Sequence, residues 1–521
     1  MKKHFQYKSN IARIKFMNKN SKKNGLNSII AGLIIILYLS IGFIPNLNAV
    51  DKIAPQWIFM TFLNGIGLVF IAYNQKFYEY SIGLTLRSSM SITYIGFIIW
   101  ASLSYFYAIN PTEVIVNITR QANVLLMYLL MGIFFLTIKE KIRFICWIIF
   151  IILSVEVYAV IIEAKSMIDS TGFISSGSLK GVTANRNITA FSLAIKIPFV
   201  LFLFHQIQKR TFTVVLMILT FLVLVCLSMI QSRASFYWCW SNTNRIHCFK
   251  HLILFKRKKM TYLIRVGYFF VPLISAVLFN QIFLSSKGAD AVSRAATISL
   301  STNDGSVNQR LRYYQDVLTH LKSNPIIGVG LGNWKLKSIE YDAHDIKGYV
   351  VPYHAHSDFI QLGAELGVVG FLLYLSIFLF AFYYTFKLIR YSNLSNFVKS
   401  FIFLLFIGLG VYFVDANLNF PIARPQVLVV WAAIMSLIMG YYEKVKIDFK
   451  NENKKTTINK LFIATGILIV LPSLYITNQV YKSLKGQMFL LQDFNTNKYN
   501  LALNKVDHIV PNIPNITVTT I

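Results

Sequence analysis

The chain has 521 residues, 55% hydrophobic and 15% aromatic, and only 14% of them are charged; soluble domains average about 25%. Apolar runs of about 18 residues or more recur along the whole length, each long enough to cross a bilayer core as a helix. This excludes a soluble enzyme and implies an all-α polytopic membrane protein of about 12–13 transmembrane helices, with no separate soluble domain of useful size. The net charge of +30 would suit nucleic acid, but a bound polyanion needs a continuous basic face. Here Lys and Arg sit in short connections between apolar runs, where they fix orientation, so no nucleic-acid partner is expected. Four cysteines are too few for a disulfide framework: Cys146 and Cys226 lie inside apolar runs, Cys239 and Cys248 in an unusual segment described below.

Residues 1–26 form a basic N-terminus, carrying Lys2, Lys3, Lys8, Arg13, Lys15, Lys19, Lys22 and Lys23 without an acid. The positive-inside rule makes this end cytoplasmic, and the apolar run after it reads as a retained first span rather than a cleaved signal. Spans are expected at 27–46, 55–73, 89–108, 121–138, 142–162, 187–206, 211–231, 234–255, 262–284, 364–386, 398–415, 424–442 and 460–478. Every second connection is then basic, for example Lys139, Lys141 and Arg143, or Lys256 to Lys259. The chain divides into N-terminal helices over 27–284, a large outer loop over 285–363, C-terminal helices over 364–478 and an outer tail over 479–521. The tail resembles the opening of a helical repeat cut short, since a solenoid needs about three repeats.

The crossing at 234–255 is anomalous. Ser241-Asn-Thr-Asn-Arg-Ile-His-Cys-Phe-Lys-His251 places Arg245 and Lys250 mid-span, where a charge costs about 2.5–3.5 kcal/mol. Residues 239–255 read as a reading-frame disturbance or a degraded helix, in which case the chain would be inactive. The alternative is a helix shielded inside the bundle.

The outer loop is the long polar segment between apolar runs and holds four of the nine histidines, His320, His344, His354 and His356. Leu311, Tyr314, Leu318 and Leu321 are spaced as one apolar face of a helix over 309–322. Arg310 and Arg312, two apart, point to roughly opposite sides, so one of them faces any shared site. Asn324-Pro325 stops the helix, and Gly328, Gly330 and Gly332 permit tight turns; a structural turn is favoured over a phosphate cradle. Then comes His354-Ala-His356-Ser-Asp358-Phe-Ile-Gln361. Asp358 and Gln361 suit an N-cap and N3 pair opening the next span. A neutral imidazole at the mouth of that span can accept a hydroxyl proton near pH 7. A metal site in which His354 and His356 are joined by Asp345 or Asp358, with His344 as a further ligand, and a structural histidine pair are the rivals. Arg233 closes a span after Ser232, and Gly181-Val-Thr-Ala-Asn185-Arg186-Asn187 opens another at the same level. Snorkelling and helix capping are the plain readings of these two. Together, the arginines and His356 fit an anionic, phosphate-linked substrate.

These pieces resemble the O-antigen ligase/polymerase superfamily of bacterial inner-membrane glycan transferases. The matching residues are Gly181 to Asn187, Ser232-Arg233, Arg310 four residues before Tyr314, Pro325-Ile-Ile-Gly-Val-Gly-Leu-Gly332 and His356-Ser-Asp-Phe-Ile-Gln-Leu-Gly-Ala-Glu-Leu-Gly-Val-Val-Gly370. The likeness spans roughly 90–440. Ser357 stands where the family usually has Asn, and Tyr314 where it usually has Trp. The resemblance implies about twelve helices, a large periplasmic loop and a multi-pass protein of the bacterial inner membrane. It implies transfer of a glycan from an undecaprenyl-diphosphate carrier to a lipid, glycan or protein acceptor hydroxyl, with no cofactor and no metal. Arg233 and Arg310 would hold the diphosphate and His356 would activate the acceptor, with His354 and Arg312 as neighbouring substitutes. Ligase, polysaccharide polymerase and protein O-oligosaccharyltransferase all fit. A transporter of lipid-linked sugars would be expected to show buried ionisable residues at mid-span, whereas Glu156 and Asp415 read as near span ends. An inactive structural membrane protein is the third reading.

Overall fold

The computed structural model describes residues 24–206, 209–232, 270–290, 293, 305–343, 353–391, 393–450 and 458–501. Among them there is no strand. The helices are α1 Asn24–Leu39 and α10 Phe270–Lys287, with α2 Ala54–Tyr73, α3 Gln75–Arg87, α4 Ser89–Leu103, α5 Pro111–Thr137, α6 Lys141–Thr171, α7 Arg186–Ala194, α8 Ile197–Gln206 and α9 Arg210–Ile230 between them. After α10 come α11 Gly305–Ser323, α12 Trp334–Asp342, α13 Asp358–Arg390, α14 Asn396–Leu418, α15 Pro425–Lys450 and α16 Ile458–Asn495. Eleven helical segments of the described residues are long and apolar enough to cross a membrane. The chain is an all-α, polytopic membrane protein.

Helices α5 and α15 form the centre, each with 89% of its span buried. Trp431 of α15 packs its ring 5.9 Å from Tyr94 and 5.6 Å from Tyr412. Lipid tails are as apolar as leucine, so such close van der Waals packing, rather than escape from water, holds spans together. α10 runs parallel to α9: Gln231 reaches the Gly288 carbonyl, Asn280 donates to Ser228 Oγ, and Phe279 packs on Phe221. The expected crossing at 234–255, with its unusual residues 239–255, lies outside the described residues. So does the end of the chain beyond residue 501, while the last helix continues past 478 to Asn495.

Three details differ from the sequence reading. Glu156 is at the middle of α6, not near its end, and is buried. Its carboxylate accepts from Lys196 Nζ at 2.8 and 3.0 Å, and the same ammonium donates to the Ser192 carbonyl and hydroxyl at 2.8 Å. Buried charge survives where it is paired and fully hydrogen-bonded, and this pair clamps α6 to the break between α7 and α8. The second difference is the face of α11. Leu311 and Leu318 are exposed, while Tyr313, Val317 and His320 are buried. Val317 joins Trp334 of α12 and Ala355 and Ala364 in a small core, which turns the helix away from the face its leucines suggested.

The third concerns α13, which is broken at Gly367 (φ 68°, ψ −173°), a conformation essentially reserved for glycine. The break releases backbone groups that must be satisfied locally at membrane depth. The glycine turn satisfies them: Val329 and Gly330 N–H groups donate to the Ala364 and Glu365 carbonyls at 3.1 and 2.9 Å, and Val368 N–H donates to the Pro325 carbonyl at 2.9 Å. Trp100 Nε1 donates to the Leu366 carbonyl at 2.9 Å. A Cβ at Gly328 would strike the Ala364 and Glu365 backbone, and one at Gly367 the Ile326 carbonyl. Gly367→Ala is therefore expected to cost at least about 3 kcal/mol. A melting curve of the purified protein checks it; an unchanged midpoint would contradict this account of the turn.

Candidate functional site

The site lies at the end of the bundle where α13 and α15 begin and α14 ends. Residues 353–357 lead into α13. His356 adopts φ +56°, a left-handed conformation in which histidine is among the enriched non-glycine residues. The reversal leaves Ser357 extended, and Ser357, rather than Asp358, is the N-cap, accepting from Ile360 N–H at 3.4 Å. The expected Asp358–Gln361 capping pair is thus shifted by one residue. Asp358 instead accepts from Ile422 N–H at 3.0 Å, tying the short turn Pro421–Ala423 to the start of α13. Gln361 Oε1 reaches back to Ala355 N–H and to His354 Nδ1, both at 3.3 Å.

Phe420, held by that tie, is the hub. The His354 ring stacks on it at 4.0 Å and 14°, and the His356 ring meets it edge-on at 5.7 Å. The Arg424 guanidinium lies 5.2 Å from the same ring. His356 is also stacked parallel to Tyr313 of α11 at 6.1 Å. Tyr314 OH donates toward the His356 carbonyl at 3.2 Å and the Asn417 carbonyl at 2.8 Å, fastening α11 to both the histidine segment and α14. Two helices and two loops thus position one imidazole. Neither of its ring nitrogens has a hydrogen-bond partner among the described residues, and Nδ1 is buried.

The surroundings are positive. The charge of Arg310 on α11 acts on His356, and that of Arg424 on His354. Burial draws both guanidinium groups down from their ordinary value, yet an arginine keeps its charge in a protein. Neither pairs with a carboxylate at ion-pair distance among the described residues. Burial, and then the Arg310 charge, lower the His356 pKa to about 4. His354, with one edge open but its ring surrounded, is lowered to about 3 by burial and then by Arg424, against a hydrogen bond to Gln361 that acts the other way. Both imidazoles are neutral at pH 7. A desolvated positive charge is costly, and an anion beside these two arginines would offset that cost.

Arg312 lies against the Tyr313 ring at 5.7 Å, one ring removed from His356, and Arg310 is the member of the pair whose charge acts on the histidine. Arg233 lies outside the described residues, as do His344 and Asp345; Ser232 is buried. His320 packs 5.7 Å from the Trp334 ring, with Nδ1 3.1 Å from Tyr341 OH. Among the described residues, no three His, Cys, Asp or Glu side chains come together as a metal site would need. The glycine turn uses its N–H groups on α13, with Gly332 donating to Glu365 at 2.8 Å, and so is a structural turn. Asn185 caps α7, accepting from Asn187 and Ile188 N–H groups. Phe420 and Arg424 were not singled out from the sequence. The available signal was Arg424 itself, an arginine opening the expected span at 424–442 on the side where basic residues are disfavoured.

Compared with known families, residues 182–375 match the one described as O-antigen ligase. The matched segment is similar to the O-antigen ligase family over 194 of the 521 residues. The match begins in the turn that receives the Arg424 contact, includes Arg310, His354 and His356, and ends within α13. Phe420 and Arg424 lie beyond it. No curated protein matches the chain. That similarity, on an all-α membrane protein, supports a glycan transferase of the O-antigen ligase/polymerase kind.

Proposed function

We propose that the protein transfers a glycan from an undecaprenyl-diphosphate carrier to an acceptor hydroxyl at the periplasmic face of the bacterial inner membrane, without a metal or cofactor. The observation that supports this is His356, neutral and without a hydrogen-bond partner among the described residues, under the charge of Arg310, which has no ion-paired carboxylate among them. In the reaction His356 accepts the acceptor hydroxyl's proton as its oxygen attacks the anomeric carbon. The bond from that carbon to the carrier's phosphate oxygen breaks, and the electron pair leaves with undecaprenyl diphosphate. Arg310, with Arg233 as its proposed partner, stabilises the charge growing on that leaving group, the kind of preorganised electrostatic help that is worth most in a desolvated site. Ligase and polymerase share this chemistry. We adopt the ligase reading, the one the matched family's description carries.

The experiment is a glycan profile of a strain lacking its own ligase, complemented with this chain or with His356→Ala; restoration by both would overturn the assignment of the base. The charge pattern also sets a pH profile. His356 works as a base only when unprotonated, so kcat/KM, which reports the free enzyme, is expected to stay level from pH 8 to about 5 and to fall as the pH drops through about 4. A bound diphosphate offsets the Arg310 charge that holds the pKa down, so the acid limb of kcat is expected above that of kcat/KM. Coincident limbs near 6.5 would show that Arg310 does not act on His356.

A further inference from the structure

We propose that Arg424 is a second anion-binding position of this site, on the far side of the histidine pair from Arg310. It would hold a phosphate or carboxylate oxygen of the substrate. The inference rests on the transferase reading above and extends it beyond the matched segment. Arg424 precedes α15 and is half-buried, with its Nε fully enclosed and lacking a hydrogen-bond partner among the described residues. Its one hydrogen bond among the described residues runs from Nη1 to the Thr183 carbonyl at 3.5 Å, the weak limit for such a bond.

That single contact is small return for a desolvated guanidinium, which offers five donors in a fork suited to phosphate or carboxylate. Asp51 supports Arg424 through its field, while Arg120 opposes it. Arg120 itself lies 5.5 Å from the Trp57 ring, and it also lacks an ion-pair partner among the described residues. Positive groups therefore continue from Arg310 past His356 and His354 to Arg424 and Arg120. Phe420 carries His354, His356 and Arg424 on one ring, so an anion held by Arg424 sits beside the base. The competing role is a pin joining Arg424 to the Val182–Thr183 turn. Gln426 already makes that join, donating to the Val182 carbonyl at 2.6 Å.

The test uses the full-length purified protein in lipid nanodiscs: wild type, Arg424→Gln, Arg424→Lys and Arg310→Gln. Undecaprenyl diphosphate binding, donor and acceptor KM, and thermal midpoint are measured on each. Arg424→Gln is expected to raise one KM at least tenfold with little change in midpoint, and Arg424→Lys less, because it keeps the charge but loses the fork. A raised donor KM with weaker undecaprenyl diphosphate binding assigns the anion to the carrier. A raised acceptor KM alone assigns it to an acidic acceptor; both results support the position. A lower midpoint with both KM values and binding unchanged makes Arg424 a structural pin and overturns the proposal. Should Arg424→Gln not fold, Arg424→Lys decides: a KM raised at least threefold supports the position, and unchanged KM values overturn it. If Arg310→Gln also leaves binding and transfer intact, the transferase reading of the site fails as well.

Discussion

Replacing His356 with alanine is expected to lower glycan transfer by about 10²–10⁴-fold, the usual contribution of a positioned general base. The fold should survive. The ring is packed between Tyr313 and Phe420, and losing those contacts costs on the order of 1 kcal/mol. The left-handed backbone at this position makes His356→Asn the cleaner control, since asparagine tolerates that conformation but cannot take the proton. Both variants are expected to lose transfer. Product formation by chromatography, with a melting curve beside it, separates loss of the base from loss of the fold. His354→Ala should cost less, because His354 Nδ1 is already engaged with Gln361.

The second large effect belongs to Arg310. Arg310→Gln is expected to reduce kcat by about 10²–10³-fold, the range seen when one donor to a developing oxyanion is removed. It carries a second signature that a packing defect would not produce. Arg310 is part of what holds the His356 pKa near 4, so without it the acid limb of the residual activity moves up in pH. Arg310→Lys keeps the charge but not the planar fork; it should leave the limb near its wild-type position while recovering only part of kcat. A variant with lower kcat and an unmoved limb would place Arg310 away from the base.

Hydropathy made most of the bundle legible. The expected span at 55–73 is Ala54–Tyr73, and that at 211–231 is Arg210–Ile230, because an apolar run of bilayer length leaves the backbone little choice but helix. Where charge dilutes the run, hydropathy does not reveal the element: α3 carries Lys76, Glu79 and Arg87 and reads as a connection. The phase of α11 differs from the one its leucines suggest, since Leu311 and Leu318 would be core residues in a soluble helix but are exposed here. The Trp334 core instead captures Val317 and His320. The break at Gly367 was invisible because its released carbonyls are satisfied by a segment some forty residues earlier, and periodicity carries no such long-range bond. Arg310, His354 and His356 could be named from order and residue type. Phe420 and Arg424 reach the same place only through the tie between Asp358 and Ile422, which no local pattern announces.

The most direct measurement is reconstituted transfer with purified protein, a synthetic undecaprenyl-diphosphate glycan and an acceptor sugar, wild type beside His356→Asn. Wild type is expected to release undecaprenyl diphosphate in step with a new glycosidic product, with metal chelators present, while His356→Asn forms at most about one-hundredth as much. Equal product from the two proteins would contradict this expectation.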